Sequence, residues 1–310
     1  MSTSAGNRKL ITVFGATGQQ GGAVVRALRA AGQFSVRALT RHPDKHRELA
    51  DEVVQGDLNR PDTLQPAFVG AHGVFLVTDS TLRGTDEFTQ GASAIRAAKA
   101  AAVKHFIWST LPDVEAISSG RFDVPHFSVK AKVDRLVTEA GFANHTFVIA
   151  SFFYQNLAGA LAPQQQADGS MGWALPLDPS VRCIHMADIR ELGAIVAGAF
   201  AHPDQAGHGE YLPLVGDFMS VNEVVDVLNR QGHNFSFTQV PGEVFATLFP
   251  GVPWGGGDRR YVQVLRSTYL LGVGVRRANG ARKQSCRRAT DEVLDMGSTE
   301  CPGSEIPSGR

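Results

Sequence analysis

Three glycines spaced three residues apart, Gly15, Gly18 and Gly21, follow the apolar residues Leu10, Ile11, Val13 and Phe14 and lead into an alanine-rich stretch, 23–31. A buried strand, a glycine turn and a helix in that order can hold the pyrophosphate of a dinucleotide. Gly15 permits the tight turn, Gly18 lets the backbone come close to the phosphates, and Gly21 or Gly22 lets the helix pack on the sheet. Thr17, Gln19 and Gln20 fill the places between the glycines and are expected to line the same ligand. The binding is electrostatic. The first N–H groups of a helix lack intrahelical partners, and the aligned peptide dipoles place roughly half a positive charge there, so an anion finds donors and a favourable field together.

The next residues that could do chemistry select between dinucleotides. An NAD site places a carboxylate about 20 residues beyond the glycines, to bond the ribose 2′-hydroxyl. Here that place holds Thr40 and Arg41, and the first carboxylate, Asp44, comes only after His42 and Pro43. A 2′-phosphate carries close to two negative charges and matches a guanidinium fork, so Arg41, helped by Lys45 and Arg37, points to NADP. Asp57 and Leu58 are expected to flank the adenine.

These residues need a sheet to position them. Apolar strand runs recur at 35–39, 52–54, 74–77, 106–108 and 146–149, separated by helical stretches at 44–50, 62–68, 86–101 and 128–140. Alternation of this kind implies right-handed crossovers and a doubly wound α/β fold, a parallel sheet covered on both faces. Ligands then bind beyond the carboxyl ends of the strands. Those ends read Thr40-Arg41-His42, Gly56-Asp57-Leu58, Thr78-Asp79-Ser80, Ser109-Thr110-Leu111 and Ser151-Phe152-Phe153-Tyr154, with polar or small residues first, as a sugar-phosphate ligand requires. Thr78 and Phe153 are expected against the cofactor. Phe152, Phe153 and Tyr154 suit either the wall of a flat aromatic substrate or the core of a domain junction.

Composition narrows the partners. The 310 residues, 43% hydrophobic, are enough for one large domain or a large and a small one. Thirty basic and thirty acidic residues give no global attraction to nucleic acid or an anionic membrane. Cys183, Cys286 and Cys301 are scattered without CxxC spacing, which fits a reducing compartment and no structural zinc. The apolar run 192–201 is too short to span a bilayer, so a soluble cytoplasmic protein is expected, also nuclear if it is a regulator. There is no GxSxG elbow and no HExxH pair, which leaves hydrolase and metalloenzyme readings without support.

The segments VFGATGQQGG, VRALTR, VVQGDL, HFIWSTL, HFSVKAKVDRLV, SFFYQNL, MADIRELG and MSVNEVVDVL together resemble the NmrA-like family of atypical short-chain dehydrogenases, over about residues 7–239. The resemblance implies a Rossmann domain, 1–150, preferring NADP(H), and a smaller interleaved region, 151–271. Segment 151–157 would cross between the two, and 180–193 would return to pack Asp188 and Arg190, read as a structural ion pair, against the first. Ordinary members of the wider superfamily use a tyrosine as general acid, a lysine one helical turn later and a serine ending the fifth strand. Lys130 and Ser109 match two of these roles, but His126 stands four residues before Lys130 where the tyrosine would be. Positions i and i+4 share a helix face, and an imidazole titrating near neutrality can donate a proton, so His126 is an acceptable substitute unless it faces water. Lys130 is expected on the nicotinamide ribose. Beyond Gly272 the chain turns basic, with Arg276, Arg277, Arg282, Lys283, Arg287 and Arg288, and loses its apolar periodicity; 272–310 reads as a disordered or atypical tail.

Two functions follow. The first is an NADP(H)-dependent oxidoreductase reducing a small carbonyl or quinone-like substrate, with Ser109 or His126 near the substrate oxygen. The second is a redox sensor that binds NADP(H) without turnover and regulates a transcription factor or another protein partner.

Overall fold

The structure, a computed structural model, describes residues 8–79, 86–121, 124–159, 161–166, 168–242 and 244–245. Six strands form in the expected places: β1 (Lys9–Val13), β2 (Phe34–Thr40), β3 (Glu52–Gln55), β4 (Gly73–Leu76), β5 (His105–Thr110) and β6 (Asn144–Ile149). The connections carry α1 (Gln19–Ala31), α2 (Leu64–Phe68), α3 (Glu87–Ala100), α4 (Val114–Ile117) and α5 (Pro125–Glu139). The helix expected at 44–50 is absent. A single 3-10 turn, Pro43–Lys45, ends at His46, whose φ of −134° leaves helical geometry. The Arg29 guanidinium donates to the carbonyls of Glu48 and Leu49 there, which ties the irregular segment to α1.

The second region supplies β7 (Phe152–Phe153), β8 (Gln164–Gln165), β9 (Met171–Leu175), β10 (Ile184–Ala187), α6 (Leu192–Ala201), α7 (Pro203–Ala206), β11 (His208–Pro213), β12 (Asp217–Met219), α8 (Val221–Arg230) and β13 (Phe235–Gln239). Strand β11 returns to the main sheet, whose order is β11-β6-β5-β4-β1-β2-β3 with every neighbouring pair parallel. The other strands make two small sheets, β12-β10-β7 and β13-β9-β8.

Alternating side chains fill both faces of the main sheet, which is why its central strands are apolar throughout. Ile11, Val36, Phe75, Ile107 and Val148 pack with α1 and α6 on one face. Leu39, Val74, Leu76, Phe106, Trp108 and Phe147 pack with α2, α3 and α5 on the other. Helix α6 meets α1 at Gly193, where a Cβ would stand 2.2 Å from the Ala23 carbonyl oxygen, so only glycine allows that approach. Strand β11 is tied to α5 by the Tyr211 hydroxyl, which donates to Asp134 at 2.9 Å, and by the Tyr211 ring stacked on Phe147.

Segment 151–157 does carry the chain from one core to the next. Phe153 packs with the α1 face, whereas Phe152 and Tyr154 join Trp173, Met186, Val224 and Leu228 in the core of the second region. Asp188 caps its own turn and receives Arg190 at 2.6 Å and the Gln155 amide at 2.8 Å. Burial alone would raise the Asp188 carboxyl, but these bonds outweigh it and hold it below the usual range. The contacts agree with a pair that fixes the register of this turn. Cys183 is buried and forms no disulfide among the described residues. Cys286, Cys301, the basic cluster 276–288 and the whole of 272–310 lie outside the described residues. Among those described, no helix is long and apolar enough to cross a membrane.

Candidate functional site

The glycine turn lies at the carboxyl end of β1, and each glycine has a distinct steric reason. Gly15 takes φ +63°, a left-handed conformation in which a Cβ would also come within 2.9 Å of the Val77 side chain. A Cβ on Gly18 would meet the Gly15 carbonyl at 3.3 Å, and one on Gly21 would meet it at 2.2 Å. Gly22 is less confined, with nothing nearer than 3.3 Å, so Gly21 is the residue that seats the helix on the turn. Gly18 caps α1 without a side-chain bond, and the first turn of α1 holds no acid. Among the described residues, the N–H groups of Gln19, Gln20 and Gly21 have no acceptor. Thr17 and Gln19 are exposed beside them.

At the end of β2, Arg41 and Lys45 are exposed, and neither side chain has a partner among the described residues. Arg37 is different. Its guanidinium is bonded to Glu52 at 2.7 Å and to the carbonyls of Ala67 and Val69, which removes it from the phosphate-binding set. Asp57 accepts the Asn59 N–H within its own turn, and Leu58 packs half-buried against the α2–α3 core.

The other half of the crevice departs from expectation. Ser109 is buried and donates to the Gln20 side-chain oxygen at 2.7 Å, which braces the start of α1. Lys130, on α5, donates to the Thr78 carbonyl at 3.1 Å and to the Thr78 hydroxyl at 2.9 Å, and pairs with the Glu87 carboxylate at 3.0 Å. Thr78 in turn donates to Glu87 at 2.6 Å. The expected ribose ligand is thus engaged by protein groups. Glu87 escaped sequence reasoning because an acid at the start of a helix has a sufficient local explanation in the helix dipole.

His126 begins α5 one turn before Lys130 and does not face water freely. Burial first, then the nearby Lys130 charge, push its pKa down to about 4, so the imidazole is neutral at pH 7. The imidazolium form that such a proton donor needs is therefore the minor one at pH 7. A cleft of about 490 Å³ flanks α5, lined by Leu111, Asp113, Asp134, Arg135, Ile149 and Tyr211, and excludes Ser109, His126 and Lys130. Burial pushes the Asp134 carboxyl up to about 6, against the hydrogen bonds from neighbouring hydroxyls.

A phosphorylated dinucleotide fits these residues. The glycine turn is a cradle that any Cβ at Gly21 would fill, its N–H donors are unused, and two cations stand open at the next strand end. A buried hydroxyl without a partner, Ser151 Oγ, follows β6 at the same end of the sheet.

The fold and this cradle define a Rossmann-type, dinucleotide-binding class of protein. Residues 7–259 match the model of the NmrA-like family, and the chain belongs to that family. An NmrA-like family domain-containing oxidoreductase of Aspergillus sp. (strain MF297-2) is 32% identical over 249 residues, covering 72% of this chain and 73% of the relative. Among solved structures, NmrA, a negative transcriptional regulator in complex with NADP, superposes with a TM-score of 0.69 at 22% identity, over 95% of this chain and 93% of that one. The Citrobacter sp. triphenylmethane reductase complexed with NADP(H) gives 0.69 at 19% identity, over 92% and 100%. These two structural likenesses establish the fold.

Proposed function

We propose that this chain binds NADP(H) and is an oxidoreductase whose acceptor is a quinone-like molecule. One observation carries the reading: the start of α1 has no side-chain cap and is sealed by glycine, while Arg41 and Lys45 have no partner among the described residues at the end of β2. The N–H groups of Gln19, Gln20 and Gly21 would hold the pyrophosphate, Arg41 and Lys45 the 2′-phosphate, and Asp57, Leu58, Thr78 and Phe153 the remaining edges. When bound, such a cofactor supplies a hydride. This chain's own residues orient and exclude water; His126 is neutral at pH 7 and so carries no imidazolium proton to give, and Ser109 donates to Gln20. An acceptor whose reduced oxygen is stable as a phenolate needs no such acid, whereas a simple aldehyde forfeits roughly a hundredfold to ten-thousandfold in rate without one. The oxidoreductase name of the Aspergillus relative supports the same class.

NADPH oxidation against a panel of quinones and aldehydes tests this. Turnover with quinones well above aldehydes is expected, and a purified protein that takes up no NADPH overturns the reading.

The same closed polar groups favour a second reading, a redox sensor. A sensor must bind its partner differently in its NADP⁺ and NADPH forms, because a ligand with equal affinity for two states shifts neither. Absence of turnover together with partner binding that follows the cofactor's oxidation state would select it.

A further inference from the structure

An ammonium has three N–H donors, and Lys130 meets three acceptors: the Thr78 carbonyl, the Thr78 hydroxyl and the Glu87 carboxylate. The Lys130 and Glu87 side chains are only 9% and 6% exposed. We propose that Glu87 is the positioning residue that keeps Lys130 a fixed cation in the crevice, and that a ligand reaches this ammonium only by displacing Thr78 or Glu87 from it. The role of Lys130 toward a ligand rests on the NADP(H) reading; the role of Glu87 toward Lys130 does not.

Three elements converge on the pair. Thr78 follows β4, Glu87 opens α3, and Lys130 lies in the first half of α5, which packs directly on α3. Gly91, one turn after Glu87, has no room for a Cβ beside Val133, so the two helices are held close where the ion pair forms. The Thr78 hydroxyl fixes the carboxylate from one side while accepting from Lys130 on the other, which leaves little freedom for either charge. The Trp108 ring of β5 lies under the ammonium, 4.9 Å from Nζ to the centroid, and its electron-rich face also favours the charged form.

Burial pulls the Lys130 ammonium below the usual lysine range, and Glu87, by charge and by hydrogen bond, is the largest opposing influence. Asp79, just after β4, and Asp134, on α5 itself, add weaker attraction. His126 faces Lys130 from the same helix and is neutral. Without Glu87 the buried ammonium gives up its proton at a lower pH than it does with the carboxylate beside it, and above that pH the amine is neutral. Lys130 would then become a neutral amine in a dry pocket, able to donate but without the charge that draws an anionic ligand.

The test uses the full chain carrying ¹³Cε-lysine, with the Lys130 resonance assigned by its disappearance in Lys130→Met. In Glu87→Gln the titration midpoint of Lys130 is expected at least about one pH unit below that of the wild type, a tenfold change in proton affinity. Glu87→Asp should restore most of the difference. An unchanged midpoint in Glu87→Gln overturns the proposal. Should that variant fail to fold, Thr78→Val removes one acceptor and the bond that fixes the carboxylate, and it must lower the midpoint by a smaller amount; no change again overturns it. NADPH affinity, followed by nucleotide fluorescence, adds a second readout. The ratio of dissociation constants between Glu87→Gln and wild type should stay within about threefold at pH 6 and rise to about tenfold above the variant's midpoint. A loss equal at every pH means a purely structural role and sinks the proposal. If wild type takes up no NADPH, the functional reading fails by itself, while the Lys130 titration still decides what Glu87 does.

Discussion

The two flanks of the crevice are built on opposite plans. On the phosphate flank, polar groups are left open: the start of α1 has no cap, and Arg41 and Lys45 have no partner among the described residues. On the flank where a substrate would react, polar groups are closed on one another, Ser109 on Gln20 and Lys130 on Thr78 and Glu87. Open donors at an exposed site are met by water, which a ligand's phosphates can displace at little cost. Closed donors contribute stability and offer a ligand little. The contrast teaches that affinity and chemistry have separate sources in this chain: the dinucleotide would be held almost entirely by one flank, and the other would work through fixed charge and shape.

The strongest way to break that contrast is to fill the open flank. Gly21→Val would place a Cβ at 2.2 Å from the Gly15 carbonyl, against backbone that cannot retreat. Loss of NADPH affinity beyond about a hundredfold, close to 3 kcal/mol, is expected in any protein that still folds. Titration of nucleotide fluorescence measures it, and a variant binding like the wild type would mean the turn is not the cradle. Gly18→Ala should be milder, since its Cβ meets the same carbonyl only at 3.3 Å.

Next in size is Arg41→Ala. A bidentate guanidinium–phosphate contact is a charge-assisted pair, so NADPH binding should weaken about tenfold to a hundredfold while NADH binding moves by less than about threefold. Equal loss for both coenzymes would show that Arg41 is only a solvated surface charge. Ser109→Ala belongs to the closed flank and should cost about 1 kcal/mol of stability in urea unfolding, with little change in coenzyme affinity. A hundredfold fall in turnover at unchanged stability would instead return Ser109 to the substrate.

How far the sequence reveals each flank follows from the distances over which its contacts run. The first six strands, α1 and the roles of the glycines were legible because apolar period and steric demand are local; Gly15 at φ +63° needs only its neighbours to explain it. The place of Arg41 just beyond β2 was legible for the same reason, as a strand-end residue counted from the turn. Strand β11 was not. It is half-exposed, ends in Pro213, and pairs with β6 from more than fifty residues away, so its strand character comes from the partner and not from its own pattern. Arg37 was misjudged because its position on β2 does not tell that Glu52 and the end of α2 would claim it. Ser109 and Lys130 were recognised as residues, but their partners were not, since the Ser109–Gln20 bond joins positions 89 apart. Glu87 was hidden by its neighbour: Asp86 already caps α3 by accepting the Thr89 N–H, so an acidic pair there looks complete.

The smallest expected effect sharpens the same comparison at His126. If the closed flank works without a proton from His126, His126→Gln should leave NADPH-dependent quinone turnover within about threefold of wild type, and the pH profile between 6 and 8 unmoved. Its folded pKa, pushed down to about 4 by burial and by Lys130, lies below the ordinary histidine value of 6.5. Between those values the unfolded chain binds a proton that the folded chain refuses, so this residue's contribution to stability is fully present above about 6.5 and is lost as pH falls toward 4. The Gln variant lacks that penalty and should therefore unfold at a lower pH than the wild type in an acid titration followed by circular dichroism. His105, buried and pushed down to about 3, keeps its own acid sensitivity in both proteins, so the shift will be partial. A turnover profile that instead loses an inflection near neutrality would show His126 to be the proton donor, and the reaction flank would then be open in the same sense as the phosphate flank.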